Sequence, residues 1–92
     1  MKIIILNGRK MLDKEVSHKY LKKKLMLPDY YGENLDALWD ILSTLTESIK
    51  IKVVNIDDIY KNLGPYGEEI INLFKDVVEE NHNVNLEIIL WQ

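Results

Sequence analysis

Three short aliphatic segments, separated by long stretches with helical spacing, constrain the fold more than any other feature of this chain. They read KIIIL (2–6), IKIKVVNI (49–56) and VNLEIIL (84–90). Asn7-Gly8 closes the first segment, an unbroken apolar run that we expect to be a buried strand followed by a turn. Strands so far apart along a chain do not pair through hairpins. We therefore expect a parallel sheet with right-handed crossovers.

Four segments with helical signals fill the connections, at residues 13–25, 35–45, 57–63 and 66–81. The first should direct Val16, Tyr20 and Leu25 toward the core, and Asn34 is the expected N-cap of the second. The order β-α-α-β-α-α-β in 92 residues predicts one domain, with helices mainly on one face of the sheet. The predicted fold class is α/β, a two-layer domain with a three-stranded parallel sheet and about four helices.

Composition and charge exclude several classes of protein and of binding site. The chain has no cysteine, which excludes a disulfide scaffold and a thiolate metal site. The apolar run near residue 1 is too short for a secretory or membrane segment, so we expect a cytoplasmic protein that spans no membrane. Residues 1–24 hold eight Lys and Arg against two acids, whereas residues 25–49 hold five acids and no base. This asymmetry favours a basic partner and argues against direct nucleic-acid binding.

The acidic residues concentrate in LPDYYGENLDALWDIL (27–42), which we interpret as a loop followed by a helix. Pro28 biases the chain away from helix, and Gly32 is expected to supply conformational freedom. At about 100° per residue, one helical stripe consists of Leu35, Leu38, Leu42 and Leu45, with Trp39 on its flank. A second stripe consists of Asp36, Asp40, Ser43 and Glu47. We expect the leucine stripe to pack against the core and the acidic stripe to face solvent.

Asp36 and Asp40 are the unusual pair on the displayed stripe. An acid near a helix N-terminus, such as Asp36, is favourable, but Asp40 four residues later should cost about 0.2–0.5 kcal/mol in repulsion. A locally unfavourable choice without structural gain is typical of a functional surface. The plainer alternative is a solvated face kept for solubility. The neighbouring Tyr30, Tyr31 and Trp39 favour an interface, although one tyrosine should pack inward and Trp39 is equally compatible with the core.

Metal binding and catalysis are poorly supported by this stretch. DYYGENLDALWD (29–40) has the length of an EF-hand loop, but Tyr31 and Asn34 stand where a ligand and a glycine are required. Exposed carboxylates on a helix would also lack the pKa shifts that acid–base catalysis needs. We therefore expect no metal, no cofactor and no enzymatic activity.

LPDYYGENLDALWD (27–40) resembles the central motif of the barstar-like family of intracellular ribonuclease inhibitors, and a weaker resemblance extends along the whole chain. The resemblance implies three parallel strands with helices in a single domain over residues 1–92. It implies an immunity-type inhibitor that occludes a nuclease active site, with carboxylates in the places of RNA phosphates. The implied partner is a basic, barnase-like ribonuclease or a related nuclease toxin.

The same resemblance implies a role for each candidate residue. Asp40 would enter the phosphate site and face the arginines and catalytic histidine of the enzyme. Asp36 would pair with a basic residue at the mouth, and Tyr30 would pack against the catalytic histidine. The other candidate partner contacts are Gly32 and Asn34 in the loop, Leu35 and Trp39 as apolar contacts, Ser43 on the displayed stripe, and Asp76 on the last helix.

Two regions depart from the family pattern, one at Asp76 and the other at residues 43–45. Asp76 stands where the family typically has Glu, and its shorter side chain reaches less far. Leu45 stands where the family has a tryptophan, and Ser43-Thr44 beside it also differs. The motif thus predicts a ribonuclease-like target but leaves its identity open. The alternative is a non-inhibitory interaction module that binds another basic protein through the same acidic face.

Overall fold

The parallel sheet expected from the aliphatic segments is present in the computed structural model, which describes residues 1–90. The elements in chain order are β1 (Lys2–Asn7), α1 (Lys14–Lys24), α2 (Leu35–Ser43), β2 (Ile49–Val54), α3 (Ile56–Leu63), α4 (Pro65–Glu80) and β3 (Val84–Ile88). Both strand pairs are parallel, and the order in the sheet is β1-β2-β3. The predicted α/β fold class is confirmed, and the boundaries of these elements agree with the sequence to within two residues.

One face of the sheet is covered by helices and the other is largely open. In β1, Ile4 and Leu6 are buried, whereas Ile3 and Ile5 are 57% and 50% exposed. The prediction of a buried first strand was therefore wrong for Ile3 and Ile5. The reason is that alternate residues of a strand point to opposite faces, and an apolar run does not show that only one face is covered.

The first helix directs two of its three predicted core residues inward, since Leu25 is buried and Tyr20 packs partly buried against the core. Asp13 caps α1 by accepting a hydrogen bond from the Val16 N–H at 2.8 Å. Ser17, His18 and Leu21 are buried, but Val16 is 39% exposed, so its predicted core position was wrong. Polar Ser17 and His18 occupy the interior positions, which a hydrophobicity pattern does not reveal.

The second helix ends at Ser43, two residues earlier than predicted, because side chains satisfy its last carbonyl groups. Asn81, just after α4, donates from Nδ2 to the carbonyl oxygens of Leu42 and Leu45, both at 2.9 Å. Thr44 Oγ1 donates to the Asp40 carbonyl oxygen at 2.7 Å. The C-terminal end of α2 is thus fixed to the end of α4.

Candidate functional site

The acidic face, which we define as Asp36 and Asp40, is displayed by the way α2 begins and packs. Asn34 caps the helix as predicted, its Oδ1 accepting the Ala37 N–H at 2.8 Å. Leu38 on the opposite side is fully buried, which turns both aspartates to solvent. Neither aspartate forms a salt bridge with any basic group of residues 1–90. Their charge is therefore available to a partner.

The acids of the α1–α2 loop (residues 25–34) are paired, in contrast to the acidic face. Glu33 lies 3.4 Å from Lys19 Nζ, and Asp29 lies 3.9 Å from Lys22 Nζ. The hydrogen bond that Lys19 Nζ donates to Glu33 Oε1 is the main cause of the raised pKa of Lys19. Exposed pairs of this kind add little stability. These ion pairs neutralise the two acids of the loop. Residues 25–49 contain no basic residue of their own, and lysines of α1 supply the positive charges.

The two adjacent tyrosines of the loop point in opposite directions. Tyr30 is 83% exposed, whereas Tyr31 is buried in the core, which confirms that one of the pair packs inward. The Tyr31 N–H also donates to the Pro28 carbonyl oxygen at 2.9 Å. The buried ring therefore anchors the loop and leaves Tyr30 displayed beside the acidic face.

Gly32 lies close to the Asn34 side chain and does not have a left-handed backbone. The residues of this loop with a left-handed backbone are Met26 and Glu33, both at φ +53°, and Gly32 is not among them, so the expected role of Gly32 was wrong. A Cβ at Gly32 would lie 3.1 Å from Asn34 Nδ2, which itself donates to the Gly32 carbonyl oxygen at 3.2 Å. A left-handed residue other than glycine costs roughly 1–2 kcal/mol, and such strain clusters in functional loops.

The remaining candidate residues lie on α2 and α4. Leu35 and Trp39 are half-buried and pack against the core, so each also presents apolar surface. Ser43 is half-buried at the end of α2. Asp76 is exposed on α4, which packs against α2. The structure thus brings the two acid-bearing helices together.

A groove of about 510 Å³ opens between the loop and α2, and sequence reasoning did not find it. Tyr30 and Asp40 both line it. Its other lining residues are Pro28, Ile41, Thr44, Leu45 and Thr46. Apolar walls with one carboxylate suit a cationic side chain that has an apolar stem or ring. The departure from the family pattern at Leu45 lies in this groove.

A second feature missed by sequence is a polar cluster of buried His18 and Tyr31 with half-buried Tyr66. The two ring nitrogens of His18 each lie within hydrogen-bond distance of one tyrosine hydroxyl, Nδ1 with Tyr31 and Nε2 with Tyr66. Burial is the main cause of the lowered pKa of His18, opposed by the negative charge of Glu33. The three residues are far apart in sequence, and only the inward-pointing tyrosine gave a signal for them.

Neither a metal site nor a membrane-spanning helix is found in the part of the chain that the structure describes. Residues 1–90 contain no group of three or more side chains placed to hold a metal ion. Among the helices of the same residues, none combines the length and apolar character that a membrane span requires.

Comparison with known proteins identifies the family of the chain. The family model described as "Barstar (barnase inhibitor)" matches residues 1–90. A protein of Bacillus subtilis (strain 168), named "Putative ribonuclease inhibitor YrdF", is 38% identical over 81 residues, which span 87% of this chain and 89% of that protein. Both comparisons support a ribonuclease-inhibitor-like role. The match over nearly the whole chain establishes that this protein belongs to the barstar family.

Proposed function

We propose that this protein inhibits a ribonuclease by inserting the acidic face and the α1–α2 loop into the active site of the enzyme. The proposal rests on a difference in ion pairing between the acids of the loop and the acids of α2. Asp29 and Glu33 are paired with lysines of α1, whereas Asp36 and Asp40 have no basic partner in residues 1–90. Asp36 and Asp40 lie four residues apart on one helix and are both exposed beside the exposed Tyr30, so their charges are available to another molecule.

An RNA-cleaving site offers the complementary charge. Such a site binds phosphates with cationic side chains, and arginine forks bind carboxylates in the same bidentate geometry. Asp36 and Asp40 would therefore replace phosphate groups of the substrate. The same charges would steer the inhibitor toward the basic cleft before contact.

The groove between Tyr30 and Asp40 supplies the apolar part of the interface. An arginine or a protonated histidine of the enzyme fits there, with its stem or ring against Tyr30 and its charge at Asp40. Leu35 and Trp39 add half-buried apolar surface on α2, and the exposed loop residues Gly32 and Asn34 bring the backbone close to the partner. Aromatic anchors of this kind dominate binding energy.

Ser43 and Asp76 extend the proposed contact surface away from the groove. Ser43 lies at the end of α2 and Asp76 on the adjoining helix, α4. The aspartate reaches less far than a glutamate, so we expect it to contribute less than Asp40 does.

The test is a titration of ribonuclease activity, with a barnase-type enzyme as the first target and secreted nucleases of the same host next. We expect loss of RNA cleavage at one inhibitor per enzyme. Asp40→Ala should shift the titration to far higher concentrations. Asp57→Ala, an exposed acid on α3, makes the same charge change away from the site and should inhibit normally.

Two outcomes would count against the proposal. Tight binding to the enzyme without loss of cleavage would favour a non-inhibitory interaction module that uses the same face. Equal losses from Asp40→Ala and Asp57→Ala would show that net charge, rather than contact at the acidic face, governs the interaction. Because inhibition requires no turnover by this chain, we also propose that it is not an enzyme.

A further inference from the structure

Strand β1 lies at one edge of the sheet, because its neighbour in the order β1-β2-β3 is β2. In a parallel ladder, alternate residues of a strand direct their backbone groups to opposite sides. Lys2 bonds toward β2, since its N–H donates to the Ser48 carbonyl oxygen at 3.1 Å. The N–H and C=O groups of Ile3 and Ile5 therefore point away from β2, toward the outer edge.

The fold itself occupies one of the outward backbone groups of this edge. Asn7 alternates in phase with Ile3 and Ile5, and its N–H donates to the Tyr20 hydroxyl oxygen at 2.9 Å. This bond agrees with the outward direction of all three residues. Within residues 1–90, the N–H groups of Ile3 and Ile5 have no such acceptor. An edge with backbone groups of this kind is a template for another strand.

The side chains of β1 on the open face of the sheet favour such an addition. Proteins commonly protect an edge strand with lysine or proline on the strand itself. On β1 the exposed side chains are instead those of Ile3 and Ile5. A strand added beside β1 would place every second side chain against these two isoleucines. Those positions of the incoming strand should therefore be apolar.

The flank of the edge on the helical side of the sheet is basic. Tyr20 of α1 contacts Asn7 at the end of β1. Met26, just after α1, accepts a hydrogen bond from the Lys2 side chain at the start of β1, so the helix runs antiparallel to the strand. Lys24 follows Tyr20 by about one turn and lies on the same flank, roughly 6 Å closer to the start of β1. Lys24 thus stands beside the open part of the edge.

Lys23 and Lys24 carry charge that the described part of the chain does not pair. Both are exposed, and neither forms a salt bridge with an acid of residues 1–90. Lys22 in the same turn lies 3.9 Å from Asp29. The helix dipole favours lysine in this turn, but it supplies no counter-ion. Acidic side chains of an incoming strand would supply one.

We infer that the edge of β1 is a second interaction surface, which binds an extended peptide segment with alternating apolar and acidic residues. The segment would add a fourth strand to the sheet through main-chain hydrogen bonds to Ile3 and Ile5. Its apolar side chains pack on the two isoleucines, and its acids meet Lys24. A second copy of β1 fits less well, because it would place two basic flanks against each other. Ile3, Ile5 and Lys24 lie outside the acidic face and the α1–α2 loop, so the inference does not rest on the proposed function.

The experiment follows amide hydrogen exchange of the free full-length protein by NMR while a blocked peptide of alternating valine and glutamate is added to millimolar concentration. Exchange at the Ile3 and Ile5 N–H groups should slow, because each gains a carbonyl acceptor. The Ile51 N–H in the central strand is the reference and should not change. The matched probe has lysine in place of glutamate and should bind more weakly, by a margin that shrinks as ionic strength rises.

Three variants test the two parts of the surface separately. Lys24→Glu should weaken binding of the glutamate peptide about threefold to tenfold and strengthen binding of the lysine peptide. Lys75→Glu, at an exposed lysine on α4, makes the same charge change away from this edge and should leave the preference as it is. Ile5→Pro removes one outward N–H but none of the hydrogen bonds to β2, and it should weaken binding of both peptides.

Unchanged exchange at Ile3 and Ile5 with the glutamate peptide would overturn the inference, and so would equal responses to the two peptides. Exchange that slows with protein concentration alone would show that a second copy occupies the edge, which also overturns it. If Ile5→Pro does not fold, the comparison of Lys24→Glu with Lys75→Glu decides the matter. No ribonuclease is present in these measurements, so they can succeed while inhibition fails, and the reverse.

Discussion

Replacing Asp40 by alanine should have opposite effects on the free protein and on its complex. Asp40 is exposed in the last turn of α2, where an acid meets the negative end of the helix dipole. Removing it should gain about 0.3–1 kcal/mol from the dipole and about 0.2–0.5 kcal/mol from the Asp36 repulsion. We therefore expect the free energy of unfolding to rise by about 0.5–1.5 kcal/mol.

The same substitution should weaken the complex strongly. If Asp40 is desolvated against arginines of the enzyme, its removal leaves buried cationic groups without a partner, at a cost of about 3–5 kcal/mol. At 1.4 kcal/mol for each factor of ten, the dissociation constant should rise by roughly two to four orders of magnitude. Asp36→Ala is the informative comparison, because Asp36 lies in the first turn. Its loss should leave the free protein unchanged or slightly less stable.

Urea unfolding monitored by circular dichroism measures the change in stability of the free protein. Isothermal titration calorimetry with the target ribonuclease measures the change in affinity. The slope of the urea dependence should stay constant, since the surface exposed on unfolding does not change. A free Asp40→Ala protein that is less stable than wild type would refute the reasoning, because it would mean that Asp40 has a structural partner. An unchanged affinity would remove Asp40 from the interface.

Three further outcomes are expected. Asn81→Ala should lower the free energy of unfolding by about 1–3 kcal/mol in urea, because the two hydrogen bonds from Asn81 Nδ2 to the Leu42 and Leu45 carbonyl oxygens are lost; an effect below about 0.5 kcal/mol would contradict this capping role. The association rate, followed by stopped-flow fluorescence, should fall as ionic strength rises; a rate independent of salt would rule out steering by the acidic face. Global stability should decrease as the pH falls, because the unfolded chain binds a proton at His18 near pH 6.5 whereas the folded protein binds it only at lower pH. The decrease in the free energy of unfolding should begin near the pKa of His18 in the unfolded chain and be complete below its pKa in the folded protein. In urea unfolding, His18→Gln should not show this decrease.

The fold was predictable because its main signals are local and periodic. Strand spacing predicted the parallel sheet, and the Asn34 cap with Leu38 and Leu42 predicted how α2 is oriented. Val16 was misplaced because the buried stripe of its helix includes Ser17 and His18, which hydrophobic periodicity does not select. Ile3 and Ile5 were misplaced because an apolar run does not report which sheet face is covered.

The exposure of the candidate acidic residues was predictable from the sequence, but their surroundings were not. The motif and the acid spacing indicated Asp36 and Asp40, and the structure shows both aspartates exposed. The pairing of Asp29 and Glu33 with lysines of α1 depends on how the loop returns to that helix, as does the contact of His18 with Tyr31 and Tyr66. Such contacts between distant residues arise from tertiary packing and have no period in the sequence.

Competition with an active-site nucleotide tests the central claim most directly. A mononucleotide that occupies the phosphate site of the target ribonuclease should raise the apparent dissociation constant of the inhibitor linearly with the nucleotide concentration, by a factor of one plus that concentration divided by the dissociation constant of the nucleotide. Asp57→Ala should show the same competition as wild type. An apparent affinity that stays constant while the nucleotide saturates the enzyme would contradict occlusion of the active site by the acidic face.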